Sequence, residues 1–90
     1  MNIERTKTFE LKFPITHKGE EIKSLTLRRA KMSDVKKITS AKEEDMFDAI
    51  LQAIADLAGK PLELMDEIDP EDYKPMLDWG QEMLGKFSAN

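Results

Sequence analysis

The sequence predicts an α+β fold, an N-terminal two-stranded antiparallel β-hairpin followed by three to four α-helices, all in one domain over residues 1–90. The hydrophobic rhythm and the charge both change at the same place. Up to about Arg28 apolar residues alternate with polar ones, the period of a strand with one buried face; from Val35 onward they recur at three and four, the period of a helix. Residues 1–42 hold 11 Lys/Arg against 5 Asp/Glu, a local balance of +6, whereas residues 43–90 hold 3 against 13, a balance of −10. A basic hairpin front precedes an acidic helical back.

The hairpin is expected over residues 7–29. Phe9, Leu11, Phe13 and Ile15 alternate with Glu10, Lys12 and Pro14, placing four apolar side chains on one face. Pro14 has no N–H for a ladder, which makes this an edge strand or its end. His17-Lys18-Gly19-Glu20 reverses the chain, with Gly19 free to take positive φ. On the return, Leu25 and Leu27 share a face while Ile22 is out of phase by one residue, so a bulge or late start near Lys23 is expected. Two strands are marginal alone in water, so their apolar face needs a cover. If the following helices supply it, the chain is a monomer; if another copy does, the hairpin is an oligomerisation device.

The helical part is expected over residues 33–87. Ser33 reads as the N-cap of a short helix carrying Val35 and Ile38, and Ser40-Ala41-Lys42-Glu43 has capping-box spacing ahead of a longer one. Glu43, Glu44 and Asp45 suit the positive end of that helix. Its apolar stripe of Phe47, Ile50, Leu51, Ile54, Leu57 and Ala58 stops at Gly59 and Pro61. Pro61 to Asp66 can add one or two turns that bury Leu62 and Met65. The last helix starts at Asp69 as N-cap and Pro70 at the first position, with Ile68 placed to staple onto Tyr73. Its stripe runs through Tyr73, Met76, Leu77, Met83, Leu84 and Phe87; Pro75 should bend or delay it, and Gly80 should loosen it. Residues 1–6 and 88–90 are expected to fray.

Composition narrows the chemistry. With no Cys there is no disulfide, thiolate metal site or Cys nucleophile, and the reducing cytoplasm is the expected location. The N-terminus lacks an apolar export segment, no stretch approaches the ~20 apolar residues of a membrane span, and the pI of 5.0 argues against nucleic acid. The one histidine, His17, falls in an expected exposed turn and reads as solvated. Asp66, Glu67, Asp69, Glu71 and Asp72 lack the order of a calcium loop, and helix capping accounts for Asp69, Glu71 and Asp72. No Gly-rich phosphate loop, Ser/His/Asp set or zinc spacing is present. The reading is therefore a non-enzymatic protein without cofactor or metal.

Partner-binding candidates lie on the C-terminal helix: Met76, Trp79 and Met83, one turn apart, with Phe87 beside them. Adaptable Met and broad Trp suit a partner segment of variable sequence. Within this stripe Tyr73, Leu77, Leu84 and Phe87 read first as core, while Trp79 at the stripe's edge is the leading exposed anchor. Opposed charges on the two halves also permit copies to stack head to tail.

This order of segments resembles the small phage tail assembly chaperones of the Mu-like and P2-like group. The resemblance rests on Gly19-Glu20-Glu21-Ile22 at the hairpin turn, Leu25-Thr26-Leu27-Arg28-Arg29-Ala30 after it, and Ser33-Asp34-Val35 opening a helix. It continues through Ile54-Ala55-Asp56-Leu57-Ala58-Gly59, Pro61-Leu62-Glu63-Leu64-Met65 and Ile68-Asp69-Pro70-Glu71-Asp72-Tyr73, covering about residues 8–87. Ala30-Lys31-Met32 stands where such proteins are expected to carry a Pro or Thr, which leaves the hairpin-to-helix angle open. The resemblance implies a chaperone that escorts the tape measure protein in the host cytoplasm while the tail tube polymerises, and that is absent from the mature virion. It also implies that a longer, frameshifted form can exist, with Gly85-Lys86 near the shift. The alternative reading is a small dimerising interaction or regulatory adaptor.

Overall fold

The computed structural model describes residues 6–85, with side chains described through residue 82. Strands β1 (Thr6–His17) and β2 (Glu20–Arg28) form an antiparallel hairpin, followed by helices α1 (Met32–Thr39), α2 (Met46–Ala58), α3 (Leu62–Met65) and α4 (Pro70–Gly85). The expected α+β order is therefore observed. The fraying expected for residues 1–5 and 88–90 lies outside the described residues, and Thr6 already belongs to β1.

Lys18 and Gly19 both have positive φ, 52° and 81°, which gives the two-residue turn whose twist matches that of the flanking strands. Pairing runs from Thr6↔Arg28 to Glu10↔Ser24, then resumes at Ile15↔Ile22. Leu11 to Pro14 thus stand opposite the single residue Lys23. The sequence pointed to β2 for the irregularity, but β1 carries it. Pro14 cannot complete a ladder, so slack collects there, and Ile22, Leu25 and Leu27 all reach the interior. The same slip turns Phe13 outward to 49% exposure, against its expected place on the apolar face.

The chain's own helices cover the hairpin. α2 packs on β2 and α4 on β1, so Phe9, Leu11, Leu25 and Leu27 share one core with Ile54, Leu57, Leu64, Met65, Ile68 and Met76. Leu25, Leu27 and Met76 are the largest fully buried side chains. Each contributes roughly 1.5–3 kcal/mol by leaving water.

Helix boundaries follow capping chemistry with two changes. α1 starts two residues earlier than Ser33 implies: Lys31 is its N-cap, and the Asp34 carboxylate accepts the Lys31 N–H at 2.8 Å. Lys31 has no side-chain acceptor to return that contact. Ser40 closes α1 instead of opening α2, its Oγ donating to the Lys37 carbonyl, and a 3₁₀ turn at Glu43–Asp45 separates the two helices. Elsewhere the expected signals hold. Gly59 ends α2 in the left-handed conformation at φ 67°, and Asp69 caps α4 by accepting the Glu71 N–H at 2.9 Å. Pro75 sits inside α4 without delaying its start.

Candidate functional site

Of the four predicted contact residues, Met76 and Trp79 have described side chains, and the two differ in exposure. Met76 is 0% exposed and serves as a core residue, because the inner face of α4 lies against β1 and α2. Trp79 is half-buried and packs edge-on to Phe9, ring centroids 6.0 Å apart. The side chains of Met83 and Phe87 lie outside the described set. Gly80, expected to loosen the helix, has a closer role: a Cβ there would meet Ile54 Cδ1 at 3.2 Å, so its bare backbone admits the α2 side chain.

Large apolar side chains instead surface at Phe13, Met32 and Phe47. Along α2 the stripe emerges gradually from the core, from buried Leu57 and Ile54, through half-buried Leu51 and Ile50, to Phe47 at 68% exposure. Exposed Glu43, Glu44, Asp45 and Asp48 surround that last position in sequence. On α1 the inner face presents Asp34, Val35 and Ile38, so the outer one carries Met32, at 61% exposure, with Lys36 one turn on. Arg29, Lys31 and Lys37 are also exposed nearby in sequence. Helical spacing correctly finds the α2 stripe but does not show where packing ends; the unbroken acidic run beside Phe47 was the available signal.

Two buried carboxylates tie hairpin to helices. Asp72, in the first turn of α4, accepts the Lys12 N–H at 2.8 Å on one oxygen and the Phe13 N–H at 3.0 Å on the other. These are backbone groups of the β1 bulge, released from regular pairing and satisfied from a distant helix. Asp34 accepts from Arg28 Nη1 at 3.0 Å as well as from Lys31, and Nη1 also donates to the Arg29 carbonyl. This clasp fixes the hairpin's exit where Ala30-Lys31-Met32 left the angle open. Burial by itself pushes the Asp34 carboxyl up; the Arg28 hydrogen bond, the Lys31 N–H, and the charges of Arg28 and Lys37 outweigh it and hold the group below the ordinary carboxylate range. The Arg28 guanidinium is correspondingly raised, chiefly by its hydrogen bond to Asp34 and against the effect of burial.

His17 also departs from its solvated reading. Its Nδ1 lies 3.2 Å from Glu67 Oε2, the side chain is mostly covered, and Nε2 is buried without a hydrogen-bond partner among the described residues. Within the acidic segment 66–72, Glu67 faces His17, Asp69 caps a helix and Asp72 holds the bulge. Among the described residues no group of three or more His, Asp or Glu side chains is arranged to hold a metal ion, and no helix is long and apolar enough to cross a membrane. Burial raises the Tyr73 hydroxyl above its usual range.

Residues 8–85 match the family described as phage tail assembly chaperone proteins, E, or 41 or 14. Neither the curated proteins nor the solved structures compared with the chain give a match. The match spans most of the sequence, and the chain belongs to this family of phage tail assembly chaperones.

Proposed function

We propose that this tail assembly chaperone binds the tape measure protein and keeps it soluble while tail tube subunits polymerise around it, acting without catalysis. The observation that carries the reading is exposed aromatic surface on a strongly charged chain: Phe13 and Phe47 face solvent while 36% of residues are charged. Such a molecule can cover an apolar client and present carboxylates to water in its place. Trp79 is the described candidate for a further contact, with Met83 and Phe87 beyond it on the C-terminal segment; Met76 joins them only if α4 leaves the core. On this reading the protein acts in the host cytoplasm and is lost before the virion matures.

Co-expression of a tagged chaperone with the tape measure protein tests the reading. The expected result is a tape measure protein that is soluble only with the chaperone and elutes with it. A tape measure protein equally insoluble in both cases, and missing from the eluate, refutes the proposal.

A further inference from the structure

α4 is held more lightly than α2, although it is the longer helix. It lies mainly on β1 and touches α2 less, and along its inner line Asp72, Met76 and Gly80, spaced by four, are buried. Among its described residues Met76 is the one large apolar side chain that it buries fully, whereas α2 buries Ile54 and Leu57 together with Ala53 and Ala55. Tyr73, Leu77 and Trp79 stay half-buried. Pro75 lacks the N–H that would donate to the Glu71 carbonyl one turn back, and Gly80 is a poor helix former, so the helix has little strength of its own. The ion pair of Lys74 with Asp78, at 3.1 Å, is internal, and among the described residues none joins α4 to another element. Its polar anchor is Asp72 on the Lys12 and Phe13 N–H groups.

Beneath α4 lies a channel suited to a helix of one pattern. Its floor is the apolar face of β1, where Phe9 meets Trp79; Ile54 of α2 closes it opposite Gly80; and the Lys12 and Phe13 N–H groups stand where Asp72 enters. We propose that α4 is a displaceable strap over this channel: it opens as a unit while the hairpin and the other helices keep their fold, and a helix of the client takes its place. The incoming helix must repeat what α4 supplies, a carboxylate in its first turn, a long apolar residue four positions on, an aromatic seven on and a glycine eight on. Without the carboxylate the two bulge donors would be stranded under the helix, so the acid sets the register of docking. The identity of the occupant rests on the proposed tape measure binding; the opening of α4 does not.

Hydrogen exchange read by mass spectrometry on the full chain tests the opening. Amides of residues 76–80 should exchange at least about tenfold faster than those of residues 53–57, because α4 opens without global unfolding. Asp72→Asn should speed the α4 amides about tenfold more, the loss of one hydrogen bond, and leave the α2 amides unchanged. Pro75→Ala, which restores a helix bond, should slow them. A labelled peptide of residues 69–82 should bind the Asp72→Asn protein about tenfold more tightly than wild type, since the channel is open more often, and the same peptide carrying Asp72→Ala should not bind. In the co-purified complex with the tape measure protein, α4 should lose protection relative to the free chain while β1 keeps its own. Free α4 amides as protected as those of α2 overturn the strap, as does a peptide that binds neither protein. A complex that forms with α4 protection unchanged overturns the displacement and leaves client binding standing. If no complex forms, the client reading fails, and the exchange and peptide results still decide the strap. Cross-links that put the α4 of a second copy in the channel overturn the proposed occupant.

Discussion

The hairpin is held to the helices at two places, and a buried aspartate does the holding at each, by different means. Asp72 reaches back from α4 to two main-chain N–H groups of the β1 bulge, across 59 and 60 residues of sequence. Asp34 works locally, closing the start of α1 against Lys31 and gripping Arg28 only six residues away. The first carboxylate is satisfied by neutral dipoles that cannot move away from it. The second relies on a long, partly solvated cation. Removing the first therefore strands backbone donors in a part-buried bulge, whereas removing the second loosens a joint that water can partly repair.

Substitutions can break this contrast. Asp72→Ala should have the largest effect, lowering stability by about 2–4 kcal/mol in urea unfolding, because two N–H groups lose their acceptor. Asp72→Asn should lose about half as much, since one oxygen remains to serve one donor. Arg28→Ala should cost about 1–2 kcal/mol, leaving buried Asp34 with the Lys31 N–H and the Lys37 charge but no direct cationic partner. Acid should isolate the Asp34 contribution. Its folded-state carboxyl lies below the unfolded value of about 3.9, so the stabilisation is present above that pH and disappears as pH falls through the folded value. Wild-type and Asp34→Asn proteins should thus differ at neutral pH and converge in strong acid. Ser33→Ala should be the smallest change, under about 0.5 kcal/mol, whereas loss of a true N-cap would cost about 1 kcal/mol.

Signals confined to neighbouring residues were legible in the sequence. Lys18-Gly19 specifies its turn through two positive φ angles, Gly59 ends α2, and Asp69-Pro70 starts α4, each within a few residues of its cause. The apolar alternation and spacing also revealed the fold class and much of the core. Signals that depend on distant partners were not legible. Asp72 looks like any acid in a first helical turn until the bulge meets it, and Phe13 holds the correct strand phase until Leu11 to Pro14 slip. One local signal was outcompeted by another: Ser33 lost the N-cap position because Asp34 could bond the Lys31 N–H from inside the helix. Phe47 has helical spacing as good as that of Ile54, yet the core ends before reaching it. Met76 shows the converse. Its side chain suits a partner, but the approach of α4 to the hairpin encloses it.

The bulge also guards against a hazard that every hairpin carries. Strand edges recruit other strands by offering consecutive free amides, the route to fibrillar stacking. Along β1, Lys12 and Phe13 have committed theirs to Asp72, and Pro14 has none. Three successive positions therefore offer an incoming strand no free N–H, which makes the middle of the longest strand a poor template for cross-β growth.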